Sequence, residues 1–415
     1  MIRLLLIVAL AGVAPTARAD TAGTLPAGTW KADVRYIAVA GGPIRMRRSL
    51  VVPGELLGSL GLSPTGGGAA AEPEDLPLGE LDLELSFGAQ VLAPGLSYGV
   101  SDWLSVGFAV PVFLDASVHV RRFDYAGDWG YNPEFPADRS RSLLLPAFDS
   151  RAVGGAAGLQ RALVEAFEYE PIEDVHTSGL GDMVVAARAR LWQTPRSLAA
   201  VQPELLLPTG ATEDPDNLID IGLGDGHTDL GARFLVDVAL ARSTILGLVT
   251  SATHSFPHVM NARVYQDPSF PLASRTPWPA PYSFIGYERT VLRDPGDVFT
   301  FAAGLTQELT SAWQATARCE YLTAGRDHFT DGDERLPALE VGTARSVTTA
   351  GGGLRFTLVD SFLRGRAPLP LELELDVAHS FSSTPEAAMT TVTATATIYL
   401  ARQLPSGFSS SRRDP

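Results

Sequence analysis

The residues able to do chemistry stand at alternate positions. Asp225, His227 and Asp229 are spaced so that one strand would send all three side chains to one face. Histidine and carboxylates ligate metals and carry protons. Same-face groups on a strand lie about 6 to 7 Å apart, however, and a hydrated polar row is the competing reading. Arg188, Arg190 and Arg233, set against Glu84, Glu204 and Asp237, give a second set of mixed sign. Such a set reads as a charged eyelet in a water-filled passage or as a structural ion-pair network. No catalytic group emerges. His254-Ser255 and His379-Ser380 are adjacent pairs, and strand neighbours face opposite sides, so neither forms a nucleophile–base hydrogen bond. Gly222-Leu-Gly-Asp-Gly226 lacks the lysine of a phosphate loop and reads as a turn. No cofactor and no resident metal are expected.

Two acidic runs, Glu213, Asp214, Asp216 and Asp220, then Asp327, Asp331, Asp333 and Glu334, read as solvated loops that bridge divalent cations to lipopolysaccharide. Asp331-Gly-Asp-Glu offers oxygen ligands without the full spacing of a calcium loop.

These residues need long strands to position them. Over 181–192, Met183, Val185, Ala187, Ala189 and Leu191 share one face, while Asp182, Arg188 and Arg190 share the other. That pattern suits a strand with a different solvent on each side. It recurs over 29–39, 80–100, 104–120, 178–193, 198–208, 226–240, 244–256, 297–309, 313–326, 341–358, 370–381 and 389–402. Short connections (101–103, 194–197, 241–243, 310–312) alternate with long ones (40–79, 121–177, 209–225, 257–296, 327–340). The expected fold is an all-β, transmembrane, antiparallel up-and-down barrel of about twelve strands, with short periplasmic turns and long extracellular loops.

Arg3, the apolar run Leu4 to Ala11 and Ala17-Arg-Ala19 form a signal peptide over 1–19. The barrel is expected over 20–402, and a disordered tail over 403–415. After the signal, no stretch approaches the roughly 20 apolar residues of a spanning helix. A formal net charge of -15 excludes a nucleic-acid partner. The single cysteine, Cys319, shares a face with Trp313 and Tyr321 and reads as buried apolar packing.

Trp30, Trp103, Trp192 and Trp313 fall at the short-turn ends of strands, as an aromatic girdle at the periplasmic interface would require. Thr391, Thr393, Thr395 and Thr397 alternate with apolar residues and suit a wet lumen. The segment 282–292 looks strand-like, but a thirteenth spanning strand breaks the short–long alternation, so it is read as part of an extracellular hairpin. The 121–177 loop, with Phe123, Tyr125, Trp129, Tyr131, Phe135 and Phe148 and a helix within 151–168, is expected to be a lid.

Tyr98-Gly-Val-Ser-Asp-Trp-Leu-Ser-Val-Gly-Phe-Ala-Val-Pro111, Gly179-Leu-Gly-Asp-Met183, Leu205-Leu-Leu-Pro-Thr-Gly210 and Gly222-Leu-Gly-Asp-Gly226 resemble the recurring phrases of the outer-membrane transporters of the MetA-pathway phenol-degradation family. The resemblance covers most of 98–402. It implies a Gram-negative outer-membrane barrel, exported with a cleaved signal, that passes small hydrophobic or aromatic molecules. More loosely, it is similar to the fatty-acid and toluene channels, although about ten residues before the first strand leave no room for their N-terminal plug. The expected partners are outer-membrane lipid, lipopolysaccharide and a small hydrophobic solute. A structural or surface-interaction barrel with a plugged lumen is the alternative, and an outer-membrane lipid hydrolase a lesser one.

Overall fold

A computed structural model of the chain describes residues 22–52, 76–126, 155–161, 163–164, 169–264, 287–332, 334–340, 342–382 and 388–400. The expected signal and tail lie outside these residues, as does most of the expected aromatic lid. The wall begins with β1 (Trp30–Gly41), β2 (Ile44–Val52), β3 (Leu76–Ser101), β4 (Leu104–Ala109) and β5 (Val112–Ala126). It continues with β6 (Val175–Leu180), β7 (Met183–Gln193), β8 (Ser197–Leu207), β9 (Asp229–Ala241) and β10 (Thr244–Ser255). β13 (Val298–Glu308), β14 (Trp313–Ala324), β17 (Arg345–Thr357), β18 (Leu371–Ser382) and β19 (Met389–Leu400) complete it.

The hydrogen-bonded order β1-β19-β18-β17-β14-β13-β10-β9-β8-β7-β4-β3 returns to β1, so the described strands close a 12-stranded antiparallel barrel. Closure is made on both sides of the first strand: Trp30 is in register with Leu400 on β19 and with Tyr98 on β3. On one side the wall rises beyond this ring, because three strand pairs are single strands with an interruption. β1 and β2 both pair with β3, β4 and β5 both pair with β3, and β6 and β7 continue along β5 and β4. The break at Val110-Pro111 has a simple cause, since proline cannot donate to the ladder. Pro111 still accepts at its carbonyl from the Gly181 N–H, 2.8 Å away, at the matching break in the next strand.

Alternation sorts the side chains as the sequence implies. In β18, Leu373, Leu375 and Val377 are exposed on the outer face, whereas Glu374, Asp376 and Ala378 are buried inside. Thr395 and Thr397 of β19 are buried on the inner face opposite exposed Val392. The outward apolar row continues through Val34, Val106, Val185, Phe234 and Phe301, the belt a lipid-facing wall requires. Cys319 departs from expectation. It is exposed on this outer face beside Trp313 and Tyr321, because its strand has protein on the lumen side only.

The described part of 282–292, residues 287–292, is not in a wall strand. β12 (Tyr287–Asp294) pairs with β11 (His258–Val264) and β15 (His328–Asp331), and β16 (Glu334–Arg335) completes a separate four-stranded sheet at the long-connection end. Ala262, Val264, Val291, Phe329 and Leu336 form its core. The helix α1 (Gly155–Arg161) falls within the expected 151–168, and α2 (Pro337–Glu340) closes the outer sheet. Arg335 donates to both carboxylate oxygens of Glu340, at 2.8 and 2.6 Å.

Arginine at Val185 or Val106 should prevent the heat-resistant folded band in SDS, since a lipid-facing charge costs about 2 to 4 kcal/mol at mid-membrane. Arginine at Ala186, which lines the lumen beside Glu204, should leave the band in place; equal damage at both faces would refute this register. The Arg335 hydrogen bonds, working against burial, hold the Glu340 carboxyl down at about 2 from an ordinary 4.5. A lowered folded-state pKa adds stability above the ordinary value, and that stability is lost as pH falls from about 4.5 towards 2. Proteolysis within the outer sheet should therefore accelerate over that window, and Arg335→Leu should remove the dependence.

Candidate functional site

The lumen is stratified. Toward the long-connection end, Ile37 and Val39 of β1, Leu85, Phe87 and Val91 of β3 and Phe113 of β5 turn inward and make an apolar wall. What they pack against is not another wall strand. The β8–β9 connection, residues 208–228, enters the barrel and buries Ile219, Ile221 and Leu223 in that same cluster. Full burial of one such side chain stabilises by about 1.5 to 3 kcal/mol, so these three form a substantial hydrophobic stopper. Among the described residues, the element that occludes this end is thus the loop between β8 and β9. The 121–177 segment, where the lid was expected, contributes only Ile172 and Val175 and part of β5 to this cluster among the described residues.

The loop is tied to the wall at one buried carboxylate. Asp182, at the break between β6 and β7 and 3% exposed, accepts the Gly210 N–H at 2.8 Å and the Asp225 N–H at 2.9 Å. Thr209 donates its hydroxyl to the Gly181 carbonyl and accepts the Met183 N–H. Within the loop, Ala211 O accepts from both Leu223 and Gly224. The approach leaves no space for side chains: a Cβ on Gly210 would lie 2.6 Å from the Leu223 carbonyl oxygen, and one on Gly224 2.5 Å from Asp182. Three glycine phrases distant in sequence therefore meet at one point.

Toward the short-turn end the inner face becomes charged. Lys31 and Arg35 flank Asp33 at 3.4 and 3.5 Å, and Arg355 pairs with Glu374 at 3.2 Å. Arg188 donates to Gln202 at 2.5 Å, Gln202 to Glu204 at 2.5 Å, and Arg233 pairs with Glu204 at 2.8 Å. Lys31, Asp33, Arg35, Arg188, Gln202 and Arg355 border a cavity of about 320 Å³, lined at the short-turn end by Gly23, Thr24 and Leu25 and by Val359 and Asp360 of α3 (Val359–Leu363). Ala22 is fully buried with Ala200 and Leu235, and its N–H donates to Asp237 at 2.8 Å. Leu25 donates to the Ser105 hydroxyl and Ala27 to Asp102. The short segment expected to leave no room for a plug of the fatty-acid-channel kind still contributes to the interior: residues 22–29 run back along the inside of the wall, where Ala22 and Leu25 bond to it.

Most of the charges singled out in the sequence do meet here. Arg188, Glu204, Arg233 and Asp237 face the lumen, and Arg190 sits at its rim with Gln193. His227 is buried, 3.1 Å from Asp229 and stacked on His258 at 4.9 Å. Asp225 of the same row serves the loop by its backbone, donating to Asp182 and accepting from His227. No three metal-ligating side chains converge among the described residues.

Glu84 departs from expectation. It lies on the face of β3 shared with Asp82, opposite the buried Leu83-Leu85-Phe87 row and in register with Arg45. The sequence reading overlooked Lys31, Asp33, Arg35, Glu372, Glu374 and Asp376. The signal was present in Lys-Ala-Asp-Val-Arg and Leu-Glu-Leu-Glu-Leu-Asp, each alternating with period two. Trp30, Trp103, Trp192 and Trp313 are all 44 to 55% exposed at the short-turn end.

The family model described as "Putative MetA-pathway of phenol degradation" matches residues 105–241, which include the wall breaks at Val110-Pro111 and Gly181-Asp182 and the inward loop. Comparison with curated protein sequences gives no match. Among solved structures, the chain is similar to an outer membrane channel from Pseudomonas putida F1, at 11% identity and TM-score 0.49, covering 93% of this chain and 100% of that one. It is also similar to the Pseudomonas putida toluene transporter, at 10% identity and TM-score 0.37, with coverage of 90% and 89%. A FadL homologue of Pseudomonas aeruginosa matches at 10% identity and TM-score 0.35, with 89% of both chains covered.

The Glu204–Arg233 pair gives a direct check on the charged layer. Glu204→Ala should lower the temperature at which the folded band collapses in SDS, because removing one partner of a buried pair costs about 3 to 5 kcal/mol. Glu204→Leu combined with Arg233→Met should recover most of that loss. Unchanged stability in the single variant would show that the pair is too hydrated to contribute.

Proposed function

We propose that the chain is a passive outer-membrane channel for small hydrophobic or aromatic solutes, and that the β8–β9 loop is its removable stopper. One observation carries this reading: among the described residues, two chain segments, 208–228 and 22–29, enter the lumen in addition to the side chains of the wall. An eight-stranded barrel is filled by its own side chains, whereas twelve strands enclose more space than the wall can fill. A purely structural barrel has no need of that space. The apolar layer supports a solute of low polarity, because only such a solute could replace the contacts of Ile219, Ile221 and Leu223. The description of the matched family, which names phenol degradation, supports the aromatic class.

In this reading residues 1–19 are removed on export to a Gram-negative outer membrane, 20–402 form the barrel and 403–415 form a tail outside it. The exposed tryptophans anchor the periplasmic interface, and the acidic loops meet lipopolysaccharide through divalent cations. The protein is not an enzyme. Its histidine–serine neighbours support this: Ser380 bonds Thr349 on the inner face, and His379 bonds Thr390 from the other side of the strand.

Replacing 213–222 by a short glycine–serine link should raise conductance in planar bilayers and speed uptake of a small aromatic solute into liposomes, with the heat-modifiable band retained. A folded variant with unchanged flux would favour the alternative, a plugged barrel that works through its outer surface.

A further inference from the structure

The inward loop is held by groups that differ in kind from those that fill the lumen. Ile219, Ile221 and Leu223 supply apolar contact, which is non-directional and can be replaced by any apolar molecule of suitable size. Asp182 supplies direction. Its carboxylate, at the break between β6 and β7, takes the N–H of Gly210 at the start of the loop and the N–H of Asp225 at its end. A carboxylate this deeply buried is tolerated only while donors surround it, so the wall and the loop each satisfy the other. The arrangement is also reversible. Once the loop withdraws, water can solvate both the carboxylate and the freed N–H groups, so opening strands no polar atom in an apolar setting.

We propose that Asp182 is the latch of the channel: a positioning residue that fixes the loop in the lumen, and whose two backbone hydrogen bonds break when the passage opens. Apolar solute and latch then act on the same loop from two sides. The solute replaces the contacts of Ile221 and Leu223, and release of Asp182 frees both ends of the segment that carries them. The latch itself rests on the geometry of the loop, and only its consequence for flux rests on the channel reading.

The experiment reads the two separately in the full-length protein. In a Cys319→Ser background, Leu223→Cys places a single thiol at a position 2% exposed, and its maleimide labelling rate reports loop withdrawal. Asp182→Ala should speed labelling by about tenfold or more, since a hydrogen bond to a charged group is worth at least that factor. Asp182→Asn keeps the size and one acceptor oxygen but turns an amide donor toward a backbone donor, and should fall between the two. Asp237→Asn, which touches the N-terminal segment and not the loop, should leave the rate unchanged. Across the unaltered protein, Asp182→Asn and Asp182→Ala, bilayer conductance should rise in the same order as labelling.

Slow labelling in Asp182→Asn, with the folded band intact, would overturn the latch, and so would equal acceleration by Asp237→Asn. Fast labelling without a change in conductance would uphold the latch and remove the channel reading. If Asp182→Ala does not fold, the asparagine variant alone decides.

Discussion

In hydrocarbon every backbone N–H and C=O must be bonded within the protein, and the rest of this molecule follows from how that requirement is met. β1 meets it by pairing along its length with β19 on one side and with β3 on the other, so the first and last described strands meet and no edge is left in the ring. Closure of this kind removes the template for aggregation that an open sheet presents. It also fixes the faces. Once the ring is closed, each strand has lipid on one side and the interior on the other, and a shift of one residue would exchange Leu373, Leu375 and Val377 with Glu374, Asp376 and Ala378.

The same closure creates the interior that the chain then has to fill. Lysine, arginine and carboxylate side chains occupy the short-turn half, where they pair across strands and border a cavity of about 320 Å³. The long-connection half is apolar and would expose Ile37, Phe87 and Phe113 to water if nothing entered. The β8–β9 loop enters, and its isoleucines and leucine complete the cluster. The entry of the loop is therefore a consequence of an apolar upper lumen wider than the wall's own side chains can fill.

Interruptions in the wall make the insertion possible. A continuous strand would commit the groups at 181–182 to ladder bonds. Here Pro111 withholds a donor, the adjacent strand breaks at Gly181-Asp182, and the loop backbone comes close enough for the Asp182 carboxylate to accept its N–H groups. Glycine at 210 and 224 lets backbone approach backbone where any side chain would intervene.

Alternation by itself determined the barrel. It is a local property with a period of two, and it placed Val185 outward and Arg188, Asp237 and the threonines of β19 inward without knowledge of any partner strand. The short and long connections set the two ends, and the tryptophan positions were readable because strand ends are marked locally by turns. What only the tertiary structure decided are the features that depend on segments far apart in sequence. The entry of 208–228, the return of 22–29 into the lumen and the meeting of three glycine phrases at Asp182 leave no periodic trace, because a loop's destination is set by the volume left over once the ring has closed. Glu84 was misplaced because 82–84 lies on the part of β3 that rises beyond the ring, where polar residues face outward as readily as inward. Cys319 was misjudged for a related reason: alternation shows that residues share a face, but only the closed wall shows that the face has lipid against it and no protein.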